Sequence, residues 1–111
     1  MTNETLETIK NRRSCRAYKP GQITDEELNA VLEAGTYAAS AMGRQSAKIV
    51  VVQDAATRAQ LTRMNAAVMG KDTDPMYGAP TILVVLADAN SKNAVQDGSL
   101  VMGNLMLAAA S

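Results

Sequence analysis

Residues 23–52, "ITDEELNAVLEAGTYAASAMGRQSAKIVVV", read as a helix, a loop of small residues and a strand, and the rest of the chain is organised around that unit. Thr24 and Glu27 have the spacing of a capping box, in which each side chain satisfies the other's backbone N–H. Ile23 and Leu28 occupy the hydrophobic-staple positions on either side of the cap. The helix runs on through Val31 and Leu32 and is expected to stop near Gly35. "TYAASAMGRQSA" (36–47) follows as a loop or loose helical end, whose small side chains allow close backbone approach to a ligand or to another helix. "KIVVVQD" (48–54) is β-branched and continuously apolar, which suits a strand buried on both faces.

Towards the N-terminus, the spacing of Leu6 and Ile9 predicts a helix over Glu4–Arg13 with Asn3 as its cap. Glu4 and Glu7 near its start and Lys10, Arg12 and Arg13 near its end complement the helix dipole. Pro20-Gly21 marks a turn. Towards the C-terminus, Asp54 caps a helix from Ala55 to about Met69, with Leu61, Met64 and Val68 on one face and Gly70 as its stop. "KDTDPMYGAP" (71–80) is a loop and "TILVVLADA" (81–89) a second buried strand. From about Asn93 a last helix runs through "NAVQDGSLVMGNLMLAAAS", apolar on most of its surface after Asp97 and so expected to be buried. Without repeats or linkers, residues 1–111 read as one domain, and the helix–strand alternation alone reads as α/β. Two buried strands need neighbours that the pattern does not supply, and the last helix ends without a stop signal. The expectation is a truncated domain, cut within or just after that helix, or a partner subunit that supplies the missing elements.

The totals narrow the function. Eleven basic residues balance eleven acidic ones, so nothing points to nucleic acid or another polyanion, and any anion site must be local. A single cysteine makes no internal disulfide, and the polar, acidic start is neither a signal nor a transit peptide; the expected compartment is the cytoplasm. The longest aliphatic runs fall short of the roughly 18–20 residues that span a bilayer, so no membrane is expected. The chain has no histidine. That removes Ser-His-Asp and Cys-His machinery and argues against a metal site, leaving a cofactor, carboxylates or Arg and Lys to carry any chemistry.

Two clusters stand out. Residues 12–16, "RRSCR", place Arg12, Arg13 and Arg16 around Ser14 and Cys15. They could grip a phosphate through forked, charge-assisted hydrogen bonds, form a reactive thiol, or be a basic helix end on the surface. "SAMGRQSAK" (40–48) sets Ser40, Arg44 and Gln45 among small residues just before a strand. No Walker-type or G-x-G-x-x-G phosphate loop is present. Asp97 and Asn104 in the last helix read as members of a polar packing network.

Taken as a set and in order, "RRSCRAYKP", the segment from Ile23 to Val52, "YGAPTILVVLAD" and "DGSLVMGNLMLAAAS" resemble the flavin-dependent nitroreductase family. The family has an Arg-x-Ser-x-Arg/Lys segment and a Ser-x-x-Asn-x-Gln-Pro-Trp loop. The resemblance implies an α+β sandwich of helices around a mainly antiparallel sheet, an intertwined homodimer and FMN at the dimer interface. It also implies hydride passage from NAD(P)H through the flavin to a nitroaromatic, quinone or similar small-molecule acceptor. By resemblance, Arg12, Ser14 and Arg16 bind the FMN phosphate and ribityl chain, and Arg13 contributes through backbone or side chain. Ser40, Ala41 and Met42 approach the flavin, and Gln45 binds its polar edge or the ribityl hydroxyls. No side chain of this chain is assigned as catalytic, because the flavin performs the hydride transfer. The family's Asn is Gly43 here and its Pro-Trp is Ser46-Ala47, departures that remove a side-chain donor and an aromatic wall. Alternatives are a flavin-binding or dimerising module without turnover and a small thiol-based redox protein using Cys15.

Overall fold

A computed structural model describes residues 1–111 as four α-helices and two strands, an α+β fold. The helices are α1 (Glu4–Asn11), α2 (Asp25–Thr36), α3 (Ala55–Met69) and α4 (Ala94–Ala110). The strands β1 (Lys48–Val52) and β2 (Ile82–Leu86) pair as an antiparallel two-stranded sheet. The chain divides into two compact units, residues 1–14, 24–49 and 85–111, and residues 15–23 and 50–84.

In the first unit, local signals set the helix limits. Asn3 accepts from the Leu6 N–H at 3.0 Å and opens α1. Arg12 has an extended ψ of 135° that closes it, so α1 ends two residues before the expected Arg13. Thr24 and Glu27 form both bonds of the capping box, at 3.1 and 3.3 Å. Both α1 and α2 pack on α4, α2 more extensively. The approach of α2 is set by Gly35, where a Cβ would lie 2.7 Å from Leu105 Cδ2 and 2.8 Å from Ile49 Cδ1. Asn104 Nδ2 donates 2.9 Å to the Ala34 carbonyl in the last turn of α2, a polar tie within an otherwise aliphatic contact. Leu105 is the buried apolar centre of this unit.

In the second unit, Asp54 caps α3 by accepting from the Thr57 N–H at 2.9 Å and its hydroxyl at 2.8 Å, and Gly70 ends it at φ 68°. Gln22 bonds to the Pro80 carbonyl and the Thr81 hydroxyl, and Gln53 Nε2 donates to Thr81 at 3.0 Å, joining residues 15–23 to the strand ends. The Asp74 carboxylate accepts from the Met76 and Gly78 N–H groups at 2.9 and 2.8 Å and folds the turn before β2. Val52 and Ile82 are its buried apolar residues.

Burial departs from the sequence expectation. In β1 only Val52 is buried and Val50 and Val51 are exposed; in β2 only Ile82 is buried. A sheet of two strands has two outer edges and little to cover its faces, so β-branched residues that read as interior lie open. The same holds for α4, where only Asp97 and Leu105 are buried while Leu100, Met102 and Met106 are exposed. On α3, Leu61 is half-buried, but Met64 and Val68 on the same face are open. The accessible surface is 8173 Å². A folded monomer of this mass exposes about 5,900 Å² by the usual scaling.

Candidate functional site

The basic cluster begins where α1 ends. The Arg13 guanidinium donates to the carbonyls of Lys10 at 2.6 Å and Arg12 at 2.9 Å, capping the C-terminus of α1 with a cation, as the helix dipole favours. Arg13 is therefore a structural residue as well as a cation. Arg12 is half-buried, and its guanidinium has no hydrogen-bond or ion-pair partner within the chain. Ser14 is exposed and directly follows. Arg16 is exposed and belongs to the second unit. Cys15 is exposed, and its carbonyl accepts from the Tyr18 hydroxyl at 3.0 Å.

The second cluster is a tight turn. Ala41–Gly43 form a single 3₁₀ turn closed by Gly43 N–H to the Ser40 carbonyl at 3.1 Å and Arg44 N–H to the Ala41 carbonyl at 3.2 Å. Met42 (φ 54°), Gly43 (66°) and Gln45 (48°) all take left-handed conformations. Two of these are not glycine, and a non-glycine residue held there costs about 1–3 kcal/mol unless its surroundings enforce it. Three tethers do so. Ser40 Oγ accepts from the Gln45 N–H at 2.9 Å, Gln45 Nε2 donates to the Thr36 carbonyl at 3.1 Å, and Asp97 Oδ1 accepts from the Ala41 N–H at 2.9 Å. Ser40, Ala41, Met42 and Gln45 are thus held in one turn. The Gln45 amide nitrogen is spent on Thr36, which leaves Oε1 as its free polar atom. Met42 is exposed.

Glycine at 43 has its own explanation. Its φ of 66° is the region that Gly and, next, Asn adopt most readily.

Asp97 is the residue that the sequence underrated. It is 4% exposed and sits near the N-terminus of α4, where a negative charge is favoured. The visible signal was a lone carboxylate entering an apolar helix. Its partner, 56 residues away in sequence, was not visible.

None of these residues lines either of two cavities in the second unit, one of about 400 Å³ bordered by Arg58, Thr62, Arg63, Asp74, Met76 and Ile82 and one of about 550 Å³ bordered by Thr62, Arg63, Ala66 and Lys71. No group of three His, Cys, Asp or Glu side chains is placed to hold a metal ion, and no helix is long and apolar enough to cross a membrane.

Residues 9–111 match the model of the nitroreductase family. The chain belongs to the nitroreductase family. Among solved nitroreductases, one from Bacteroides fragilis with bound FMN is 34% identical, with a TM-score of 0.87 over 98% of this chain and 65% of that one. Another with bound FMN, from Desulfitobacterium hafniense, is 31% identical, with a TM-score of 0.88 over 99% of this chain and 66% of that one. A relative from Archaeoglobus fulgidus, provisionally named NADH dehydrogenase/NAD(P)H nitroreductase, is 35% identical over 96% of this chain and 61% of its own length. The chain thus spans less than two thirds of the nitroreductases it resembles. Its helices and its antiparallel strand pair are the nitroreductase fold over that span.

Proposed function

We propose that this chain forms part of an FMN-dependent oxidoreductase that uses NAD(P)H as electron donor. The observation that supports this reading is that α1 and the Ser40–Gln45 turn both meet α4 within one unit. The helix α1, whose C-terminal end carries the basic cluster, packs on α4, and Asp97 of α4 accepts from the Ala41 N–H of the turn. The residues suit FMN. Arg12 offers a half-buried guanidinium without an internal partner, matched to a phosphate's charge and fork geometry. Ser14 adds a hydroxyl, and Arg16 adds a second exposed cation two residues on. Ser40, Ala41 and Met42 would lie against the ring system, and Gln45 would offer its side-chain oxygen to a flavin N–H or a ribityl hydroxyl. The chemistry such a cofactor supplies is two-electron hydride transfer, here from NAD(P)H to a nitroaromatic, quinone or similar small acceptor. The protein's part is to bind, orient and shield.

A homodimer belongs to this reading. Apolar side chains left open on α4 and β1 would be covered by a second copy. The cytoplasm remains the proposed compartment. An exposed Cys15 with no second cysteine gives the thiol-based alternative no resolving partner.

The test is titration of the purified chain with FMN, followed by NAD(P)H oxidation in the presence of a quinone or nitroaromatic. We expect saturable binding with quenched flavin fluorescence, then acceptor-dependent turnover. Arg12→Ala and Arg16→Ala should each weaken FMN binding by about 1.5–3 kcal/mol, the worth of a charged hydrogen bond. Unchanged affinity in the double variant would remove the phosphate assignment. Cys15→Ser should leave turnover intact; loss of turnover with flavin retained would favour the thiol reading.

A further inference from the structure

The geometry assigns Asp97 a role of its own: it is the positioning residue that holds the Ser40–Gln45 turn in the shape that receives the flavin. This rests on the FMN reading above for its ligand but not for its structural content. The turn carries three left-handed residues within four positions, two of them not glycine. Such a backbone relaxes unless it is held. Of its three tethers, one is internal (Ser40 Oγ to Gln45) and one comes from the end of α2 (Gln45 to Thr36). Asp97 alone ties the turn to α4, and it does so through the backbone N–H of the residue before the first left-handed position.

The chemistry suits a fixed anchor. A carboxylate accepting from an N–H makes a stronger bond than a neutral oxygen, and burial lowers the competition from water. Asp97 is also rigidly based. Its own N–H donates 2.9 Å to the carbonyl of Asn93, the N-cap of α4, in the first hydrogen-bonded turn of the helix. With Ala41 N–H committed to Asp97, Gly43 N–H to Ser40, Arg44 N–H to Ala41 and Gln45 N–H to Ser40, the Met42 N–H is the one backbone donor between residues 41 and 45 without an acceptor in the chain. Asp97 thus fixes both the shape of the turn and the residue that flanks its open donor. It touches no reacting atom, and it acts through Ala41 and Met42.

Asp97→Ala and Asp97→Asn in the full chain separate this role from general stability. Amide hydrogen exchange of the FMN-free protein should show the Ala41 N–H losing at least about tenfold in protection in Asp97→Ala, the loss of a charge-assisted bond. Leu105 N–H, deeper in α4, should keep its protection. Asp97→Asn retains an acceptor oxygen and should recover much of the Ala41 protection. In the FMN-bound proteins, Asp97→Ala should weaken FMN binding by about tenfold and alter the visible circular dichroism of the flavin, with Asp97→Asn nearer to wild type. Equal Ala41 protection in wild type and both variants overturns the proposal, as does lost protection with unchanged FMN affinity and dichroism. If Asp97→Ala does not fold, Asp97→Asn decides: a several-fold fall at Ala41 with Leu105 unchanged supports the role, and no difference at either amide overturns it. Should wild type itself fail to bind FMN, the flavin reading falls, while the exchange data still decide whether Asp97 holds the turn.

Discussion

At Gly35, α2 comes so near α4 that a single added methyl group would meet Leu105 and Ile49 at under 3 Å. Gly35→Ala should therefore displace the Leu105 and Ile49 side-chain ends and cost about 1 kcal/mol, the low end of the usual range for overpacking. A urea midpoint unchanged from wild type would mean that the contact yields without strain. Gly43 poses the opposite case, because nothing lies within 4 Å of a Cβ there and only φ constrains it. Gly43→Asn should be nearly neutral and Gly43→Val should cost about 1–2 kcal/mol, the penalty of a left-handed conformation. Equal stability of the two variants would contradict a turn fixed in that region. Such positions were partly legible in advance. "SAMGRQ" was recognisable as a small-residue loop, because side-chain size is written in the sequence. The Asp97 tether was not, since a hydrogen bond between residues 41 and 97 depends on how α4 lies against the turn.

The helices were the most legible elements, because their ends are chosen by neighbouring residues. Asn3, Thr24, Asp54 and Gly70 each cap or stop a helix as local chemistry predicts. Thr24→Ala removes one bond of the capping box at the start of α2 and should cost about 1 kcal/mol, read as a lowered urea midpoint. Asp54 adds a pH dependence. The bonds from the Thr57 side chain and backbone hold its carboxyl below its ordinary value, opposed by partial desolvation and aided by Arg58. A carboxyl whose folded pKa lies below its unfolded value stabilises the fold above the unfolded pKa, about 4, and loses that contribution as pH falls through the folded value. Stability measured from pH 6 to pH 2 should therefore fall less steeply in Asp54→Asn than in wild type below about pH 4. Parallel curves would contradict the cap. The strands were legible as strands, but their burial was not. "KIVVV" fits an interior whose other walls β1 and β2 do not themselves provide.

For the whole molecule, the order of helices and strands was readable, but the sheet's direction was not. A strand–helix–strand run reads as readily parallel as antiparallel, and here only the family resemblance implied the antiparallel pairing. Large apolar side chains on α3, α4 and β1, among them Met64, Leu100 and Val50, are exposed. Whether the residues gathered on α4 bind a flavin, as proposed, is decided by equilibrium titration of the purified 111-residue chain with FMN. Saturable quenching of flavin fluorescence, weakened in the Arg12→Ala and Asp97→Ala variants, is the predicted result. FMN fluorescence unaffected by the folded wild-type chain would contradict it.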